Sequence, residues 1–68
     1  MFKKNELRSE MVRQGITNEA LSKAINISDS AMYRKMNGES DFYRNEIIAI
    51  SKILNLSNER MCEIFFHA

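Results

Sequence analysis

Apolar residues recur along the chain three and four positions apart, the spacing that places side chains on one face of an α-helix. Five segments show this repeat, and their predicted inward residues are Leu7, Met11, Leu21, Ala24, Ile25, Met32, Met36, Ile47, Ile50, Ile53, Leu54, Met61, Ile64 and Phe65. The predicted helices span residues 3–14, 18–25 and 29–37, then a fourth begins near Tyr43 and a fifth ends at about Phe66. The connections are too short for a sheet, so the pattern predicts an all-α bundle of five helices.

Polar and conformationally permissive residues separate these segments. Thr17, Ser28 and Ser57 each stand before a predicted helix, where a side-chain oxygen can accept a hydrogen bond from the first turn. Residues suited to a helix end or a left-handed turn follow the helices: Gly15, Asn26, Asn37-Gly38 and Asn55. Phe42 is placed to dock the loop of residues 39–41 onto the core. We recognise no linker, internal repeat or low-complexity run in the chain.

The segment from Gly15 to Gly38, GITNEALSKAINISDSAMYRKMNG, reads as helix, three-residue turn, helix. This is the layout of a helix-turn-helix, whose second helix enters the major groove of DNA. Met32 and Met36 would face inward and leave a polar arc on the opposite side. Because the N-terminal half of the second helix reaches the base edges, the predicted base contacts are Asp29, Ser30, Tyr33 and Arg34.

Three of these side chains have a chemistry suited to DNA, and each of the three also has an ordinary alternative. Arg34 can pair with guanine O6 and N7, Asp29 can accept from cytosine N4, and Tyr33 can touch a thymine methyl or a phosphate. Alternatively, Arg34 and Lys35 form a solvated helix face, Tyr33 packs across the helix surface, and Asp29 only complements the helix dipole.

The segment resembles the helix-turn-helix of the Xre/Cro family of phage and bacterial repressors. The resemblance covers residues from Leu7 to about Phe66 and rests on Thr17-Asn18-Glu19 with Leu21, Ile25-Asn26-Ile27-Ser28, Asn37-Gly38 and Ile50-x-x-Ile53-Leu54-Asn55-Leu56-Ser57. It implies a five-helix, lambda repressor-like bundle and a sequence-specific regulator that binds an operator in double-stranded DNA. Phe42 and the EIFF tail look particularly like small phage or prophage regulators of low-GC Gram-positive bacteria.

The same resemblance implies contacts to the DNA backbone from Asn18, Ser28, Lys35, Asn37 and Arg44. The family often has Ala at the position of Ser22, Gly at that of Asn26 and an apolar anchor at that of Lys35. Here Met36 is expected to take the anchoring role, which leaves Arg34 and Lys35 as alternative probes of the groove.

Composition and charge change this picture little. The chain has 68 residues, one cysteine and no tryptophan, so neither a disulfide framework nor a CxxC zinc site can staple it. We expect a single helix-turn-helix domain over residues 1–68, stabilised by apolar packing. The formal net charge of +1 is weak evidence for a nucleic-acid partner. Residues 1–44 hold eight Lys or Arg against six Asp or Glu, so the small excess lies on the helix-turn-helix side.

No catalytic constellation is recognisable, and we expect neither an enzyme nor a small-molecule substrate. Cys62 has no base beside it in sequence, because the only histidine, His67, lies near the chain end. We expect no cofactor and no metal. The start of the chain lacks an apolar run of signal-peptide length and no segment approaches a membrane span, so a cytoplasmic location is expected.

The last helix has apolar residues on more than one face. Met61, Ile64 and Phe65 serve the core, which leaves Cys62 and Phe66 for a second face. Because repressors of this type bind two half-sites as two-fold dimers, that face is the predicted homodimer interface. Alternatively, Phe66 folds back to seal the bundle.

Two further alternatives concern the function of the whole chain. In one, it is a protein-interaction module, an antirepressor or antitoxin that binds its partner through the last helix. In the other, it is the DNA-binding half of a longer repressor, although the ending FFHA, without a polar tail, argues against that.

Overall fold

The computed structural model describes residues 2–66, and within them it has five α-helices and no strand. The helices are α1 (Lys4–Gln14), α2 (Asn18–Ala24), α3 (Asp29–Met36), α4 (Arg44–Ile53) and α5 (Asn58–Phe65). The predicted all-α fold of five helices is therefore confirmed. None of the helices in the described residues is long and apolar enough to span a membrane. His67, named above, lies outside the described residues.

The helices begin where the sequence places their caps. Thr17, Ser28 and Ser57 each accept a hydrogen bond from the backbone N–H three residues later, at 3.0–3.1 Å. α4 begins differently, because the Glu46 carboxylate accepts from the Tyr43 backbone N–H at 2.8 Å. These local bonds satisfy donors that would otherwise be unpaired at the helix starts.

Helices from across the chain contribute to one core, whose buried apolar residues are Leu7, Met11, Leu21, Met32, Met36, Ile47, Ile50, Leu54, Ile64 and Phe65. α2 packs against α3 and α4, while α5 packs against α1 and α4. The predicted inward face of α2 needs one correction, because Ala24 is exposed and Ser22 is buried in its place. Ser22 can be buried because its hydroxyl has polar partners. Ile25, Ile53 and Met61 are only partly buried.

The loop before α4 is held by an aromatic cluster. Phe42 packs edge-on against Phe2 and Phe65, with ring centroids 5.2 and 5.5 Å away. Phe2 in turn stacks on Phe65 at 5.6 Å. The predicted docking of Phe42 is confirmed, and the start of the chain joins the same cluster.

The chain contains a structural repeat that the sequence analysis missed. Residues 20–29 (ALSKAINISD) and 49–58 (AISKILNLSN) are identical at five of ten positions, an Ala, two Ser, a Lys and an Asn. Asn26 and Asn55 both adopt the left-handed conformation, with φ of 62° and 53°. In each turn the N–H of the next residue bonds to the carbonyl of a buried serine five positions back, Ser22 or Ser51. The expectation of no repeat is wrong, because the helix pairs α2–α3 and α4–α5 are joined by the same turn, and each pair with its turn is one unit of the repeat.

An ion-pair network fastens α1 to α5. The Arg60 guanidinium donates to Glu10 and to Glu6, each at 2.8 Å, and Arg13 also pairs with Glu10. The hydrogen bond from Arg60 lowers the pKa of the Glu10 carboxyl below its ordinary value. The same bond raises the pKa of Arg60. The network therefore links the first helix of the bundle to the last.

Candidate nucleic-acid interface

The four predicted base contacts lie on one face of α3. Asp29, Ser30, Tyr33 and Arg34 are all exposed, and together with Glu39 they line one shallow depression in the surface. Tyr33 is the aromatic residue among them, with 64% of its surface exposed. The structure therefore brings these side chains together on a mixed surface with one cation, two anions and two hydroxyl groups.

The opposite face of α3 fixes the helix in the core. Met32 and Met36 are 1% and 3% exposed, as the inward stripe predicts. Ser28 caps the helix at one end, and Asn37 follows its last residue at the other. α3 is therefore a short helix that is buried along one side and exposed to solvent along the other.

Lys35 lies on the buried side of α3, which corrects its interpretation as a backbone contact or groove probe. Its Nζ is 2.6 Å from Glu46 Oε1, donates to the Asp41 carbonyl at 3.2 Å and lies 4.1 Å from the Tyr43 ring centre. The Glu46 carboxylate neutralises the buried ammonium, and the carbonyl and the ring add further contacts. The Lys35 side chain is therefore not available to a phosphate. Between the two alternatives, Arg34 is the exposed cation of α3.

A signal for the position of Lys35 was present in the repeat. With an offset of 29 residues, Lys35 aligns with Ile64, and Met36 aligns with Phe65. Ile64 and Phe65 are both core residues of α5. The inward orientation of Lys35 follows from that register, whereas its pairing with Glu46 depends on the packing of two helices.

Asp29 has a protein partner that sequence analysis did not find. The hydroxyl of the buried Ser22 lies 2.7 Å from Asp29 Oδ1 and 2.8 Å from the Glu19 carbonyl oxygen. Asp29 is also the first residue of α3, where the helix dipole favours an acid. The carboxylate is therefore held at one oxygen while the residue remains exposed.

The other predicted backbone contacts are at the surface, on the ends of three helices. Asn18 begins α2, Ser28 caps α3, Asn37 ends it, and Arg44 begins α4. All four are exposed.

Two cations of α1 that the sequence analysis did not single out lie beside these polar residues. Lys4 Nζ is 3.4 Å from Asn37 Oδ1. Arg8 shares a surface groove with Asn18 and Thr17. Their four-residue spacing, which places both on one helix face, was the available signal. Their proximity to α2 and α3 depends on the tertiary fold.

The model of one protein family, the Cro/C1-type HTH DNA-binding domain, matches residues 6–63. The chain belongs to this family. The match runs from α1 into α5 and so includes both units of the repeat. The resemblance to the Xre/Cro family is thereby confirmed, and the protein is a DNA-binding regulator of the helix-turn-helix class. No curated protein and no solved structure matches the chain.

A second surface of this Cro/C1-type domain is apolar and lies between α4 and α5. Phe66 is 55% exposed and Ile48 44% exposed, and both line a groove with Phe42, Arg44, Ile47 and Met61. Cys62 is a free, exposed thiol on the same helix as Met61. Phe66 therefore covers the bundle only in part, and the predicted second face of the last helix is accessible.

Proposed function

We propose that this Cro/C1-type domain is a transcriptional repressor of phage or prophage type that binds its operator through α3 in the major groove. The observation that supports this most directly is the two-sided character of α3. Its polar side chains Asp29, Ser30, Tyr33 and Arg34 share one exposed depression, while Met32 and Met36 anchor the other side. A helix held in this way can enter a groove without giving up its packing.

The exposed face of α3 has the donors and acceptors needed for direct readout. Arg34 would donate two hydrogen bonds to O6 and N7 of a guanine. Asp29 would accept from the N4 amino group of a cytosine, and Tyr33 would contact a thymine methyl or a phosphate. Arg34 is the residue on which we expect specificity to depend most.

Side chains on either side of α3 would set the register on the duplex. Asn18 with Arg8 forms one polar group, and Asn37 with Lys4 forms another. Arg44 and Ser28 would add to them. Contacts of this kind go to phosphate, so they position the domain and do not themselves read sequence.

Binding as a homodimer is part of the proposal, because repressors of this type bind two half-sites as two-fold dimers. The longest extent of the domain is 27 Å. Half-sites one helical turn apart are separated by about 34 Å, so an inverted repeat of that spacing needs two copies of α3. Phe66, Cys62 and the apolar groove beside α4 would form the contact between the copies.

The proposal includes no catalytic step, cofactor or metal. Regulation would come from protein concentration, competition for the operator or a protein partner. An operator as target implies a cytoplasmic location.

The exposed apolar groove of Ile48 and Phe66 also favours a second candidate, a protein-interaction module acting as antirepressor or antitoxin.

The test is a selection of random duplex DNA by the purified protein at two salt concentrations, read by sequencing. We expect enrichment of an inverted repeat with half-sites about one helical turn apart. The variant Phe66→Ser should enrich the same half-site without its repeat, because it removes the dimer contact and leaves α3 intact. Weak binding without enrichment would contradict the repressor, and capture of a protein partner that Phe66→Ser abolishes would then support the second candidate.

A further inference from the structure

The contact between Ser22 and Asp29 joins a buried residue to an exposed one. Ser22 is 1% exposed, so it cannot reach DNA itself. Its hydroxyl lies 2.7 Å from Asp29 Oδ1 and 2.8 Å from the Glu19 carbonyl oxygen. A serine hydroxyl has a single proton, which it donates to one acceptor at a time or shares between two. An ionised carboxylate is the stronger acceptor, so Asp29 competes well for that proton.

The second copy of the repeat shows that the turn does not by itself produce this contact. Ser51 occupies the position of Ser22 and is also buried, but its hydroxyl donates to the Ile47 carbonyl at 2.8 Å. Asn58 occupies the position of Asp29, and the hydrogen bonds of the described residues include none between Asn58 and Ser51. The link between the two helices is therefore specific to the pair that contains α3.

We propose that Ser22 is a positioning residue for base recognition, which acts by holding Oδ1 of Asp29. This inference rests on the proposed function, in which Asp29 accepts a hydrogen bond from a base. An exposed aspartate otherwise samples several rotamers, and each must be excluded when the base edge is engaged. With Oδ1 held by the protein, Oδ2 remains to accept from an exocyclic amino group such as cytosine N4.

The substitution Ser22→Ala removes only the hydroxyl. The carbonyl of residue 22, which accepts from the Ile27 N–H at 3.0 Å and closes the turn, is retained. Alanine favours the helix and has no polar group that would need a partner in the core. The variant should therefore fold, with Asp29 in place but no longer held. Ser51→Ala is a matched control, since it removes a buried serine hydroxyl from the equivalent position of the other unit.

The experiment compares base preferences at each operator position for the parent, Ser22→Ala, Asp29→Ala, the double variant and Ser51→Ala. The operator selected by the parent is used, with every single-base replacement measured by competition. Asp29→Ala should remove the preference for cytosine at one position. Ser22→Ala should lower that same preference about two- to tenfold, the worth of one hydrogen bond, and leave the other positions unchanged. The double variant should match Asp29→Ala, and Ser51→Ala should match the parent.

Three outcomes would overturn the positioning role. In the first, Ser22→Ala keeps the full preference at the position that Asp29 reads. In the second, it weakens binding equally on all sequences, as a purely structural loss would. In the third, Asp29→Ala changes no base preference. In each of these the parent still selects an operator, so the proposed repressor stands, although the third outcome removes Asp29 from its base-reading residues. A parent that selects no sequence contradicts the proposed function, and the positioning role fails with it.

Discussion

The α2–α3 and α4–α5 pairs share one turn but present different surfaces. The aligned exposed positions are Asp29, Ser30, Tyr33 and Arg34 on α3, and Asn58, Glu59, Cys62 and Glu63 on α5. Ser30, Tyr33 and Arg34 can donate to bases and phosphates, whereas the two glutamates of α5 would repel a phosphate backbone. The comparison teaches that the same turn can join helix pairs whose outward residues differ, and we expect those outward residues to determine which pair binds DNA.

The two units also differ in how their second helix is fastened to the rest of the fold. α3 is attached to α4 by the buried pair of Lys35 and Glu46, whose side chains are 8% and 6% exposed. α5 is attached to α1 by Arg60, which is more accessible. Buried and accessible ion pairs respond differently to substitution and to pH, so the comparison can be tested on each.

The largest effect is expected from breaking the buried pair. Lys35→Ala leaves the Glu46 carboxylate buried without its cation, which should lower the free energy of unfolding by about 3–5 kcal/mol. Chemical denaturation measures this. The double variant Lys35→Met with Glu46→Gln should recover most of the loss, because the amide oxygen can still accept from the Tyr43 N–H. A loss for Lys35→Ala below about 1 kcal/mol would mean that the pair lies in solvent.

The next effect concerns the outward faces. Arg34→Ala should weaken operator binding by about 1–3 kcal/mol and relax selectivity at one base pair. Glu63→Ala, at the aligned position of α5, should leave binding unchanged or slightly stronger. Competition on matched and mismatched duplexes separates the two cases. Equal losses for both variants would show that the two units do not divide in function as proposed.

A smaller and paired effect is expected in the two turns. Asn26→Ala and Asn55→Ala each replace an asparagine, whose short polar side chain helps it adopt the left-handed conformation, by an alanine, for which that conformation costs about 1–2 kcal/mol. Thermal unfolding of the two variants should give similar losses, because the turns have the same hydrogen bonds. The variants Asn26→Gly and Asn55→Gly, which tolerate positive φ, serve as controls. Clearly unequal losses of thermal stability would show that the two turns are not equivalent.

The smallest effect should appear in acid, at the network of α5. The pKa of Glu10 is lower in the folded than in the unfolded protein, so the folded state binds its proton less readily. Its contribution to stability is complete above the unfolded pKa of about 4.3 and is lost as pH falls through the folded value.

Unfolding midpoints measured across that acidic range should decline less steeply for Glu10→Gln than for the parent. Glu19→Gln, which alters an exposed pair with Lys23, should follow the parent curve. Parallel curves for all three proteins would contradict a lowered pKa at Glu10.

The sequence could predict the features that depend on neighbouring residues, but not the contacts between residues far apart in the chain. The caps at Ser28 and Ser57 and the left-handed Asn26 were predictable because each depends on residues within a few positions. The partner of Lys35 was not, because Glu46 lies eleven residues later on another helix. The Ser22 contact with Asp29 required knowledge of how α2 meets α3. The closeness of Lys4 and Asn37, 33 residues apart, likewise arises only in the assembled bundle.

The inward turn of Lys35 has a consequence for how binding responds to salt. Each phosphate neutralised by a lysine or arginine releases condensed counterions, and the number released determines how steeply affinity falls as salt rises. With Lys35 withdrawn, α3 presents one cation, Arg34, and one anion, Asp29. If α3 enters the groove as proposed, it would therefore add almost no net charge to this exchange of ions. The salt dependence of DNA affinity would then depend on Lys4, Arg8 and Arg44. The preference for particular bases would depend on other residues, those of α3.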